Sequence, residues 1–139
     1  MNSFNHYAYG AVAEWFYSGM CGIKPDTEMP GWEHFFLAPT PDMRRDDEIP
    51  EGQKRITTAR ASYDSVAGHI ESAWVSVGDR FEYSFIIPEE TAATVSLVSE
   101  KDVLKINGIE FKLEEINGRR IDDRILFPLS EGAYTVVIG

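Results

Sequence analysis

The sequence has little of several features that small proteins often rely on. It contains a single cysteine, Cys21, so no disulfide can form within the chain and packing alone must stabilise the fold. Its 13 Lys and Arg residues are outnumbered by 23 Asp and Glu residues, and the net charge is −10. Because the few basic residues are scattered, we expect neither nucleic acid nor an anionic membrane as a partner.

Long apolar runs and catalytic signatures are also missing. No run approaches the roughly 18 apolar residues of a membrane span, and residues 1–23 lack the basic start of a secretory signal. The sequence holds no Gly-x-Ser-x-Gly elbow, glycine-rich phosphate loop, calcium loop or pair of histidines at ligand spacing. We therefore expect no cofactor and no metal ion, and the acidic runs at 46–48 and 122–123 are interpreted as solvated loops. The compartment stays unassigned.

An amphipathic pattern is present at the N-terminus. Ala8, Ala11, Val12 and Trp15 recur at i, i+3, i+4 and i+7, which predicts a helix. The opposite face is also largely apolar, which is typical of a helix inside a larger helical assembly. Nothing downstream encodes other long helices, so we predict that residues 1–24 are one helix cut from such an assembly.

In the rest of the chain the residue pattern changes twice. Pro25, Pro30, Pro39, Pro41 and Pro50 predict a proline-rich linker over residues 25–53, with one short strand from Trp32 to Leu37. From residue 54 onward apolar and polar residues alternate with period two, and turn signals recur at short intervals. Residues 54–139 are therefore predicted to form a domain that is mainly β, an antiparallel β-sandwich of the jelly-roll or Greek-key kind.

Two local patterns support the β prediction. Three aromatic residues and one isoleucine, which we call the aromatic row, point to one face of a half-buried strand: Phe81, Tyr83, Phe85 and Ile87. Asn107-Gly108 is the typical signal of a two-residue hairpin turn, which would pair Ile106 with Ile109.

Several short motifs resemble a known family. The run Asn5-His6-Tyr7-Ala8-Tyr9-Gly10 resembles the last barrel helix of family-78 glycoside hydrolases, the α-L-rhamnosidases. Further motifs are similar to the linker and C-terminal sandwich of that family: Pro30-Gly31-Trp32-Glu33-His34-Phe35, Tyr63-Asp64-Ser65, Gly68-His69-Ile70, Trp74 and Gly132-Ala133-Tyr134. The resemblance spans nearly the whole chain.

The resemblance implies a fold and a function. It implies one N-terminal helix left from an (α/α)6 barrel and a C-terminal accessory domain that buttresses this barrel. The parent would be an inverting, bacterial-type glycosidase that removes terminal α-L-rhamnose with two carboxyl groups. In the family both carboxylates lie upstream of the matched segment, so we expect no catalytic residue in this chain and no activity when it is alone. His6 is the one functional position that maps here, as a substrate-binding residue in the intact parent.

Two other hypotheses stay open at this point. Trp32 and Trp74 could stack on sugar rings in a stand-alone carbohydrate-binding module. The N-terminal helix could instead pair with the same helix of a second copy of the chain and make a self-associating homo-oligomer. Rhamnosides would be partners only through the parent enzyme, and the aglycone, the upstream domains, the strand order and the status of Met1 as a natural start are left open.

Overall fold

The computed structural model describes residues 20–29 and 31–139. Most of the helix predicted over residues 1–24, including His6, lies outside the described residues. Of the predicted range, residues 20–24 are described: Met20 and Cys21 are helical, whereas Ile23 and Lys24 belong to a strand. Within the described part, no helix is long and apolar enough to cross a membrane.

The described part of the chain is built from nine strands and two short 3-10 turns. In chain order the strands are β1 Ile23–Pro25, β2 His34–Leu37, β3 Thr58–Ser65, β4 Gly68–Val77, β5 Arg80–Val98, β6 Val103–Ile106, β7 Ile109–Lys112, β8 Arg119–Ile121 and β9 Arg124–Ile138, and the 3-10 turns are Asp46–Glu48 and Leu113–Ile116. The chain is thus mainly β, as predicted.

Two long strands organise the sheet. Residues 81–87 of β5 pair with residues 132–138 of β9, and residues 92–98 pair with residues 124–130. The register shifts between these stretches, where Pro88 withholds a backbone donor and Glu90 takes a left-handed φ of 62°. Each long strand therefore has two halves on either side of the bulge.

The two halves carry different neighbours. The first half of β5 pairs with β4 and through it with β3, while the end of β9 pairs with β6 and through it with β7. The second half of β5 pairs with β2, which pairs with β1, and the start of β9 pairs with β8. This open mixed sheet is consistent with a β-sandwich whose two layers share β5 and β9.

One pairing departs from the prediction of an antiparallel sandwich. Strand β2 runs parallel to β5, with His34 opposite Ala92 and Leu37 opposite Val95, whereas the other described pairings are antiparallel. Parallel neighbours need a long crossover connection, and here β3 and β4 lie in the connection between β2 and the second half of β5. Periodicity marks β2 as a strand but does not specify the direction of a partner so far along the chain.

A single core lies under the sheet. The inward positions of both halves of the long strands join it: Tyr83, Phe85, Ile87, Ala93, Val95, Leu97, Ile125, Phe127, Leu129, Val136 and Ile138. The predicted aromatic row is confirmed, with Tyr83 fully buried and Phe81 half-buried at its end. Each large side chain removed from water contributes roughly 1.5 to 3 kcal/mol, so this shared core holds the two halves together.

The predicted turn at Asn107-Gly108 is also confirmed. Ile106 pairs with Ile109, and both turn residues have positive φ, 51° and 84°. The Oδ1 atom of Asn107 accepts a hydrogen bond from Thr135 N at 2.8 Å, which ties the hairpin to β9. Asn117-Gly118 instead follows the second 3-10 turn, and the chain then returns to β9 through β8.

Candidate functional site

The two helical residues Met20 and Cys21 are fastened to the rest of the domain by three groups, which we call the anchor. Trp74 Nε1 and Thr40 N both donate to the carbonyl oxygen of Met20, at 3.2 Å and 2.9 Å. Ser72 Oγ donates to the carbonyl oxygen of Cys21 at 2.6 Å. The last carbonyls of a helix have no partner within it, and here Ser72 and Trp74 of β4 and the backbone of Thr40 supply the partners.

Glycine is required directly after the anchored carbonyls. Gly22 has a φ of 69°, the left-handed conformation that commonly ends a helix. A Cβ atom at this position would overlap the carbonyl group of Ala38, and Gly22 O accepts a hydrogen bond from Ala38 N at 2.9 Å. Only the fold reveals the close approach to Ala38.

Cys21 is fully buried in the same region. Its side chain is 0% exposed, and burial raises the pKa of the thiol to about 11. The thiol is therefore neutral near pH 7, which suits a packing residue rather than a nucleophile.

After β2 the chain crosses the sheet as a strap, residues 38–57. The carboxylate of Asp42, 9% exposed, accepts bonds of 2.8 Å from both Nε and Nη2 of Arg44 and of 2.9 Å from Ile56 N. The hydrogen bonds from Arg44 hold the pKa of Asp42 well below its usual range. Arg55 also donates to the Arg44 carbonyl oxygen, so the two ends of the strap are tied together beside the anchor.

The two predicted stacking residues lie in different surroundings. Trp74 is 2% exposed, which leaves no ring face for a sugar, and the predicted stacking role for Trp74 is wrong. Trp32 is half-buried, with its ring centroid 4.9 Å from that of Tyr63 and 6.0 Å from that of Phe35. It packs where the linker meets the sheet, and a stacking role for Trp32 stays a prediction.

The two described histidines are tied to side chains on the sheet and its loops. His34 Nδ1 contacts Asp26 Oδ2 at 2.8 Å, and His34 Nε2 contacts Thr94 Oγ1 at 2.9 Å. This contact pair fastens the β1–β2 loop to β5. In the described residues, no group of three or more His, Cys, Asp or Glu side chains could hold a metal ion.

The contacts of His69 predict a pH-dependent contribution to stability. Its ring nitrogens lie 2.6 Å from Asp64 Oδ1 and 2.9 Å from Glu71 Oε2, and because ionised carboxylates only accept hydrogen bonds, these contacts favour the doubly protonated, charged ring. The hydrogen bond to Asp64 and, as the smaller effect, the hydrogen bond to Glu71 raise the pKa of His69. The stabilisation is fully present below the ordinary His pKa of about 6.5 and is lost as pH rises through the raised value.

We therefore expect His69→Gln to lower the free energy of unfolding near pH 6 and to leave it unchanged near pH 9. The side chain is 46% exposed, so the loss should stay below about 1 kcal/mol. Urea denaturation of both proteins at the two pH values measures it. Equal losses at both pH values would contradict the ionic origin.

Sequence reasoning missed most of the anchor. Thr40 contributes a backbone N–H, which carries no sequence signal. Ser72 did leave a signal, because it shares the inward face of β4 with Ile70 and Trp74 and a buried hydroxyl needs a partner. That partner, the Cys21 carbonyl, lies far away along the chain and could not be inferred.

Comparison with known proteins identifies the region. The family described as "Bacterial alpha-L-rhamnosidase C-terminal domain" matches residues 22–111. An α-L-rhamnosidase of Streptomyces avermitilis is 34% identical over 95 residues, which is 68% of this chain and 8% of the relative. One of Alteromonas sp. is 31% identical over 93 residues, 67% of this chain and 9% of the relative. The chain thus spans about a tenth of these relatives.

Solved structures agree with the sequence match. The structure of S. avermitilis α-L-rhamnosidase complexed with L-rhamnose has a TM-score of 0.69 at 27% identity, covering 100% of this chain and 12% of that one. The α-L-rhamnosidase of Dictyoglumus thermophilum has a TM-score of 0.74 at 21% identity, covering 99% and 14%, and supports the fold alone. The chain belongs to the family of bacterial α-L-rhamnosidase C-terminal domains.

Proposed function

We propose that this chain is the accessory domain of an inverting α-L-rhamnosidase, in which it holds the last helix of a catalytic (α/α)6 barrel against a β-sandwich. The anchor is the observation that carries the proposal. It bonds the final carbonyls of the helix, at Met20 and Cys21, to Ser72, Trp74 and Thr40. A helix end bonded in this way cannot rotate against the sheet without breaking these bonds.

Breaking the bonds of the anchor costs free energy because its side chains are buried. Ser72 is 0% and Trp74 is 2% exposed, so water could not replace a broken bond. Leaving a buried polar group without a partner costs about 1 to 3 kcal/mol. The strap adds stiffness, because the bonds of Asp42 to Arg44 and Ile56 hold the segment that supplies Thr40.

The anchor would act at a distance through the helix. His6, the substrate-binding residue expected in the intact parent, precedes Met20 by 14 positions. In a continuous helix this corresponds to about 21 Å. Fixing the end of the helix would therefore fix the height of His6 at the rim of the barrel.

Catalysis itself would come from the upstream part of the parent. Inversion needs one carboxylic acid for the leaving oxygen and one carboxylate for water, and the resemblance puts both upstream of this segment. We therefore expect the isolated chain not to hydrolyse an aryl α-L-rhamnoside. Hydrolysis at an enzymatic rate, abolished in a variant of this chain, would contradict this expectation.

A chimera tests the anchoring role. This chain would replace the matching C-terminal segment of the S. avermitilis α-L-rhamnosidase, and aryl α-L-rhamnoside hydrolysis and thermal inactivation would be measured. We expect an active chimera in which Ser72→Ala with Trp74→Phe speeds inactivation and lowers kcat. Ser84→Ala, which removes an exposed hydroxyl on the neighbouring strand, is the matched control and should change neither. Unchanged behaviour of the anchor variant would overturn the proposal.

A further inference from the structure

We propose that the chain binds a neutral saccharide in a cleft at the mouth of the sandwich, a role that is separate from the anchoring function. The cleft has a volume of about 850 Å³, within the usual range for small-molecule sites. Its lining includes one aromatic ring and side chains that can donate or accept hydrogen bonds: Phe81, Ser76, Asp79, Glu100, Lys101 and Arg55.

The location of the cleft follows from the register of the long strands. Phe81, Val98 and Ile138 line the same cleft, so both ends of β5 meet there, away from the bulge near Pro88. Three segments meet there: the turn between β4 and β5, the loop after β5 and the strap. Sites at the mouth of a β structure are a common position for ligands.

Phe81 provides a fixed apolar floor. Its backbone is paired on both sides, with Ser76 on β4 and with Ile138 on β9. Its ring lies 6.4 Å from that of Trp74 and 6.5 Å from that of Tyr83, yet the residue stays half-buried and lines the cleft. An aromatic ring held by a rigid strand is suited to the apolar face of a pyranose.

The loop that carries Glu100 and Lys101 is held in place before any ligand arrives. Ser99 Oγ donates to Lys101 O at 2.9 Å and accepts from Lys101 N at 3.0 Å. Arg120 donates to the carbonyl oxygens of Ser99 and Lys101, at 2.7 Å and 3.1 Å. Binding would therefore not require this loop to be ordered, which lowers the entropic cost.

Charge decides the class of ligand. The cleft is lined by the acids Asp42, Asp79 and Glu100 and by the bases Arg55 and Lys101, and Asp42 is neutralised by Arg44, so neither sign of charge dominates the lining. This balance stands out in a chain with a net charge of −10. An anion would meet carboxylates and a cation would meet basic groups, whereas the hydroxyls of a neutral sugar can both donate and accept.

The test is a titration of the chain with methyl α-L-rhamnoside, followed by amide chemical shifts. We expect saturable shifts at Ser76, Phe81 and Lys101, and no saturable shift with inorganic phosphate. Phe81→Leu should weaken the affinity roughly three- to tenfold, since it keeps an apolar core residue and removes the ring. Asp79→Asn with Glu100→Gln should weaken it as well. The control Phe111→Leu, at a half-buried aromatic outside the cleft, should leave it unchanged.

Three results would overturn the proposal. The first is the absence of a saturable shift up to roughly 100 mM sugar, a concentration at which binding would contribute less than about 1.4 kcal/mol. The others are shifts confined to Trp32 and Tyr63, and binding of phosphate as strong as that of the sugar. The second result would move the sugar to the aromatic pair at the other end of the molecule. The chimera experiment does not depend on sugar binding by the cleft, so failure of one proposal is distinguishable from failure of the other.

Discussion

Replacing Gly22 by alanine is expected to lower the free energy of unfolding by about 2 to 5 kcal/mol. An alanine at a φ of 69° meets the steric cost of the left-handed conformation, about 1 to 2 kcal/mol. The added Cβ would also overlap the backbone of Ala38, which cannot move aside because it is bonded to Gly22 O and followed by Pro39. Overpacking of this kind adds about 1 to 3 kcal/mol.

Gly78→Ala is the matched control for this substitution. Gly78 has a similar φ of 63°, but a Cβ there would have no neighbour within 4 Å. It should therefore cost only the conformational part, about 1 to 2 kcal/mol. Urea denaturation followed by circular dichroism measures both variants. Equal losses in the free energy of unfolding would mean that the close approach of Gly22 to Ala38 does not contribute to the cost of the substitution. Such a result would refute the close packing at this position.

Replacing Trp74 by alanine is expected to cost about 3 to 5 kcal/mol, the usual loss for truncating a large buried aromatic side chain. The ring fills the core beside Phe81, with centroids 6.4 Å apart, and its Nε1 bonds to the Met20 carbonyl. Trp74→Phe keeps most of the volume and removes the N–H. We expect it to cost about 1 to 2 kcal/mol, because Thr40 N still satisfies that carbonyl.

Trp32→Ala is the control that separates a core role from a surface role. Trp32 is half-buried and packs mainly on Tyr63 and Phe35, so its removal should cost clearly less than the removal of Trp74. Thermal and urea denaturation of the three variants give the comparison. A loss for Trp32→Ala as large as that for Trp74→Ala would contradict the different burial of the two rings.

Local patterns determined much of the fold and little of the site. The alternation in the first half of β5 and the Asn107-Gly108 turn rest on neighbours in the sequence, and the structure has both. The continuity of β5 through residues 88–91 was not predicted, because proline and a positive φ are turn signals locally. Pairing with β9 on both sides of the bulge keeps these residues in one strand.

The same division holds for Trp74 and the anchor. From the sequence, Trp74 was a candidate for sugar stacking, and the structure instead buries it beside Met20.

By itself, the sequence determined that the chain is mainly β and where the first half of β5 and the Asn107 hairpin form, because each of these depends on residues a few positions apart. Only the tertiary structure decided the parallel partner of β2, the burial of Trp74 and the bonds from Ser72 and Thr40 to the helix end. These features join segments that are distant in sequence, and a contact of that kind is selected by the packing of the whole core rather than by local propensity.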